Sequence, residues 1–112
     1  MRRIAVGISV FALATGAVSA AEWQALSGEE ITRALTDRTL QYENATQAFY
    51  ASGRTLYNAG TDSWGYWQVR GDQYCSQWPP SGLWDCYDVA AQGQTVKFIS
   101  SDGSFSDGIV ID

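Results

Sequence analysis

The chain has 112 residues, 46% of them hydrophobic and 13% aromatic, with a formal net charge of −5. That length suffices for one domain and not two, and the acidity makes nucleic acid and anionic membrane poor partners. Histidine is absent, which removes the commonest general base and metal ligand.

Met1-Arg2-Arg3 is a basic start, Ile4 to Ala14 a short apolar run, and Val18-Ser19-Ala20 a small-residue cleavage pattern. Together they predict a signal peptide over 1–20, cut after Ala20 or one residue later. The apolar run is short and interrupted by Gly and Ser, so no membrane span is expected after cleavage. No cysteine stands near the cut to take a lipid. The mature chain, 21–112, is then a single small β-rich domain of 112 − 20 = 92 residues, periplasmic or secreted. Losing Arg2 and Arg3 leaves five basic against twelve acidic residues, a net 5 − 12 = −7. A cationic partner would be steered towards such a surface.

Trp23 to Leu26 leads into the one helix signal. Ser27-Gly28-Glu29-Glu30 fits a capping box, with Leu26 and Ile31 as its hydrophobic staple. Glu29 and Arg33 can pair one turn apart. Ile31, Ala34 and Leu35 form the apolar stripe, which fades by Asp37. A helix that short must dock on something to persist.

From Thr39 the period is two and the punctuation is Gly, Asn and Asp, the pattern of short strands. Thr39 to Glu43 reads as a strand, and Gln47 to Ala51 with Arg54 to Tyr57 as a hairpin about Ser52-Gly53. After a polar loop from Asn58 to Ser63, Trp64 to Arg70 is a strand turning at Gly71-Asp72. Gly at the first turn position suits a type II′ hairpin. That turn sets Val69 opposite Tyr74 and Trp67 opposite Ser76.

Tyr74 to Tyr87 holds both cysteines and both prolines of the chain. Pairing Cys75 with Cys86 across a ladder sets Tyr74 opposite Tyr87, Ser76 opposite Asp85, Gln77 opposite Trp84 and Trp78 opposite Leu83. Pro79-Pro80-Ser81-Gly82 is left as a four-residue connection. Opposed residues lie roughly 4.5 to 5.5 Å apart, within disulfide reach. In an oxidising compartment the bond is expected, with a stabilisation of about 3 kcal/mol. Alternation puts Tyr74, Trp78, Leu83, Tyr87 and Val89 on one face and Cys75, Gln77, Trp84 and Cys86 on the other. The first is the expected core.

Val89 closes that strand, Ala90 to Gln94 reads as a loop, and Thr95 to Ser100 and Phe105 to Ile111 flank Asp102-Gly103. A type I′ turn there would place Val96 opposite Ile109 and bury Val96, Phe98, Phe105, Ile109 and Ile111 on one face. The fold class is therefore mainly β (α+β). A short helix precedes a meander of seven or eight antiparallel strands, curved or closed into a small barrel, with one disulfide.

Chemistry is mostly excluded. With both cysteines paired, no thiol nucleophile or thiolate metal site remains. No metal, no cofactor and no catalytic residue is expected, although carboxylate-only catalysis stays open in principle. Asp85 falls on the aromatic face. Either Ser76, a tyrosine hydroxyl, a backbone amide or water at the open end of the sheet satisfies it, or it anchors a ligand in an aromatic cleft with Trp67, Tyr74, Ser76 and Tyr87. Trp84 either covers the cystine or joins Trp78, Pro79 and Pro80 in a rigid loop that meets a protein partner. Arg70-Gly71-Asp72 is explained by its turn. Asn44-Ala45-Thr46 is a sequon on a chain with a bacterial-looking leader, so no glycan is expected. Ser100 to Phe105 resembles part of an Asp box without its full spacing.

Three stretches carry a resemblance. They are Leu26-Ser27-Gly28-Glu29-Glu30-Ile31 with Gly65-Tyr66-Trp67, then Gly71 to Trp78, then Asp85-Cys86-Tyr87. In these the chain resembles a group of short exported proteins of Gram-negative bacteria with no known activity. The resemblance spans most of the mature chain and implies a shared domain type but no site residues. In size, disulfide and β-meander the chain is also loosely similar to periplasmic protease and lysozyme inhibitors, without their signature motifs. Two functions follow as expectations. One is a monomeric, non-catalytic envelope protein that binds a protein in the manner of an inhibitor. The other is a small-ligand or glycan-binding module using the aromatic cleft.

Overall fold

A computed structural model describes residues 22–112. The expected signal peptide and its cleavage site lie outside the described residues. In chain order the elements are β1 (Gln24–Ala25), α1 (Gly28–Leu35), β2 (Arg38–Gln41), β3 (Thr46–Phe49), β4 (Arg54–Asn58), β5 (Asp62–Arg70), β6 (Gln73–Gln77), β7 (Trp84–Gln92), β8 (Thr95–Ile99) and β9 (Phe105–Val110). Strands β2 to β9 each pair antiparallel with the next, and β9 pairs back with β2. The meander is thus an eight-stranded, up-and-down closed barrel. Closure removes the free edges that an open sheet would expose.

The capping box forms as its residues dictate. Ser27 Oγ accepts from the Glu30 N–H and Glu30 Oε1 accepts from the Ser27 N–H. The Glu29–Arg33 pair is present at 3.7 Å on the exposed side, worth a few tenths of a kcal/mol. Ile31 and Leu35 are fully buried. They join Leu40, Phe49 and Val96 in the core and close one end of the barrel. The Asp72 carboxylate ties the helix start to the β5–β6 turn by accepting from the Gly28 N–H at 2.8 Å.

The central hairpins have the expected register. Val69 faces Tyr74, Trp67 faces Ser76, Cys75 faces Cys86, and the two sulfurs are bonded. Gly71 has φ +58, the left-handed value that the first position of a type II′ turn requires. The ladder ends at Gln77–Trp84, so Trp78 and Leu83 do not pair. The Ser81 N–H instead donates to the Trp78 carbonyl across Pro79-Pro80. Leu83, expected in the core, is 75% exposed in the loop.

Two other expectations are corrected. Residues 90–92 are strand and not loop, because β7 is nine residues long and changes partners midway. Its first half pairs with β6 and its second half with β8. On the side that β6 vacates, β1 pairs with Ala90 and Ala91. Partners on both flanks hold two alanines that have little intrinsic strand preference. The β8–β9 register is also one residue from the type I′ expectation, with Val96 opposite Gly108 and Ile109 opposite Thr95. The turn is longer: the Gly103 N–H donates to Ser100 O, the Ser100 N–H donates to Ser104 O, and only Gly103 is left-handed, at φ +91. This is a three-residue loop with a glycine bulge. A one-residue slip exchanges the faces, so Phe105, Ile109 and Ile111 lie exposed on the outer wall.

Candidate functional site

The barrel interior changes character along its axis. Next to the helix it is dry and apolar. Phe49 packs edge-on against Trp67 and Tyr74, with ring centroids 5.6 and 5.8 Å away, and Tyr74 meets Phe98 at 5.0 Å. Above this layer lies a band of polar groups. Gln47 is only 5% exposed, yet all its hydrogen-bonding groups are used. Its Nε2 donates to Thr55 Oγ1 and Tyr74 Oη, and its Oε1 accepts from Tyr42 Oη. Thr55 Oγ1 donates in turn to the Ala48 carbonyl at 2.8 Å. A satisfied buried network of this kind fixes the rings it touches.

Beyond that band the barrel opens. A cavity of about 970 Å³ is lined by Tyr42, Tyr57, Tyr87, Trp78 and Phe98, with the Tyr74 and Ser76 hydroxyl groups among its polar surface. The loops at residues 42–45 and 78–79 contribute to its rim, at the end opposite the helix. The walls are braced by ring contacts. Tyr42 and Tyr57 stand 6.3 Å apart, Tyr57 meets Trp78 edge-on at 6.1 Å, and Tyr74 meets Tyr87 at 6.0 Å. Two inward-facing glycines make room for these rings. A Cβ on Gly65 would lie 2.6 Å from the Trp78 ring, and one on Gly108 would lie 2.8 Å from the Tyr42 ring.

Burial sets the acid–base state of the site. It pushes the Tyr74 phenol up to about 12, against partial relief from its bonds to Ser76 and Gln47. Burial raises Tyr42 further still, with the other three tyrosines adding to it. Tyr87 is raised by burial first and then by the charge of Asp85. All three phenols are therefore neutral near pH 7.

The expected site residues divide. Tyr74, Ser76 and Tyr87 do line one cavity. Trp67 does not: it is 7% exposed, lies in the packed layer beneath, and donates its Nε1–H to the Tyr50 carbonyl at 2.9 Å. Asp85 stands opposite Ser76 as expected but is exposed, outside the lining. It sits near the open end of its strand, where water solvates it. Of the expected partner loop, Trp78 and Pro79 belong to the cavity wall, and Trp78 donates its Nε1–H to Ser76 Oγ at 3.2 Å. Pro80 is exposed. Trp84 is on the outer wall, under the Arg70 guanidinium at 4.8 Å.

No family model, curated protein or solved structure matches this chain. The geometry alone therefore carries the functional argument.

Sequence reasoning missed Tyr42, Gln47 and Tyr57. Gln47 was legible only as a polar residue within a strand pattern. Its role depends on Tyr74, 27 residues away. Tyr42 and Tyr57 enter the site because closure brings β2 to β4 round to face β6 and β7. Among the described residues no cluster of His, Cys, Asp or Glu could hold a metal ion. No helix among them is long and apolar enough to cross a membrane.

Proposed function

We propose that this is a non-catalytic small-ligand-binding barrel of the periplasm or extracellular space. The observation that carries this is the cavity of about 970 Å³ with rigid aromatic walls and a hydrogen-bonded polar floor. Sites for drug-sized molecules have that size and that mixture of apolar wall and few polar groups. The disulfide fits an oxidising compartment. The protein-partner reading rests on less, since Trp78 faces the cavity and Trp84 lies beneath Arg70. Its remaining support is the exposed Leu83 in the loop that also holds exposed Pro80.

A test uses a neutral, environment-sensitive dye such as Nile red. Binding should raise its emission, and Ser106→Trp, which fills the mouth from an exposed lining position, should abolish the rise. Melting should change by no more than about 0.5 kcal/mol, as for an ordinary surface exchange. Unchanged dye emission in that variant would remove the cavity as the binding site.

A further inference from the structure

Several of the chain's own cations are already held on rings. Arg54 lies over Trp64, at the edge of the cavity, at 4.2 Å, and Arg70 over Trp84, on the outer wall, at 4.8 Å. Lys97, the only lysine, is held between Trp23 at 4.2 Å and Phe105 at 4.1 Å. Inside, Tyr42, Tyr57, Trp78 and Tyr87 surround open space, and neither Lys nor Arg lines it.

The donors of the cavity are also largely committed. Both Gln47 amide bonds, the Tyr42 hydroxyl and the Trp78 indole N–H are spent on protein acceptors. What faces the space is mostly ring surface, with the hydroxyl groups of Tyr57, Tyr87 and Ser106 among its polar groups. A carboxylate stands at the rim in Glu43, and Asp85 is close enough to Tyr87 to raise its phenol. Such a site has no positive charge to set against an anion. It offers a cation the negative faces of several rings, which attract organic ammonium groups most strongly when water is excluded.

Resting on the proposed ligand-binding role of this cavity, we propose that its ligand is an organic ammonium ion. Its head would lie against the faces of Tyr42, Tyr57, Trp78 and Tyr87, with Glu43 supplying countercharge. The net charge of −7 on residues 21–112 would steer such a ligand inward.

Calorimetric titration with three compounds of one shape tests this: choline, its uncharged carbon isostere neohexyl alcohol, and the anion tert-butylacetate. Choline should bind at least about tenfold tighter than the alcohol, and tert-butylacetate should not bind. Trp78→Leu should erase the difference between choline and the alcohol, while Trp78→Phe, which keeps a ring, should retain part of it. Glu43→Gln should weaken choline alone and reduce its dependence on salt. Equal binding of choline and the alcohol would overturn the ammonium assignment and leave the ligand-binding reading standing. No saturable heat from choline would also overturn it, and the dye experiment then decides whether the cavity binds anything.

Discussion

Gly65 shows how one residue without a side chain shapes the site. It lies on the inner face of β5, and the Trp78 ring rests where its Cβ would be. Gly65→Ala would press on that ring and on the Gln77 carbonyl, 2.7 Å from the added atom. Overpacking of this kind costs about 1–3 kcal/mol. Thermal melting should record the loss, and displaced Trp78 should emit further to the red. Gly82 is the control, since an added Cβ there meets nothing within 4 Å. Gly82→Ala should melt like the parent. Equal melting of the two variants would show that Trp78 is not packed on Gly65. The sequence showed Gly65 as a strand residue and as part of the Gly65-Tyr66-Trp67 stretch but not why it is glycine, because the ring that needs it comes thirteen residues later.

Among the eight barrel strands, the weakest joint is the one that closes the barrel. The β2–β9 ladder has two register pairs, where β5–β6 and β6–β7 each have five. Two further backbone bonds extend the seam: the Ile111 N–H donates to Thr39 O at 2.9 Å, and the Thr39 N–H to Asp112 O at 3.2 Å. Local opening follows the least supported backbone bonds. Native-state hydrogen exchange should therefore be at least about tenfold faster at Thr39 and Ile111 than at the paired amides of β6. Equal protection would mean that the barrel opens elsewhere or only as a whole. The elements themselves were largely legible in the sequence. The capping box, the Gly71 turn and the Cys75–Cys86 pairing are local, and each fixes its own register. The β9 register was not, since Asp102-Gly103 suits two turn types that differ by one residue in length. The pairing of Ile109 with Gln41 leaves no local mark at all.

For the molecule as a whole, the buried phenols set an alkaline limit. Tyr74 keeps its proton to about 12 in the fold, against 10.0 for an unperturbed phenol. Above pH 10 the unfolded chain loses a proton that the folded chain retains. The unfolded state then binds fewer protons, and stability falls with rising pH. Below pH 10 this contribution is fully present, and it is lost as pH climbs through the folded value near 12. Tyr42, shifted the same way and further, extends the decline. Melting temperature should fall steadily across that window, and Tyr42→Phe should flatten the slope. An unchanged slope would show that Tyr42 ionises freely in the folded state. That the chain would be mostly β, disulfide-bonded and rich in inward rings followed from period, spacing and composition. That the rings would leave a void could not be read there, because volume depends on how eight strands close.

The helix seals one end of the barrel with Ile31 and Leu35 over a dry layer of rings. A guest of the proposed site would then arrive and depart at the opposite end, so the chamber would serve as a cul-de-sac and not a conduit. Only the head of such a guest would need to fit inside. A long tail, or a bead to which the head is tethered, can trail into the solvent without cost to the hold on the head.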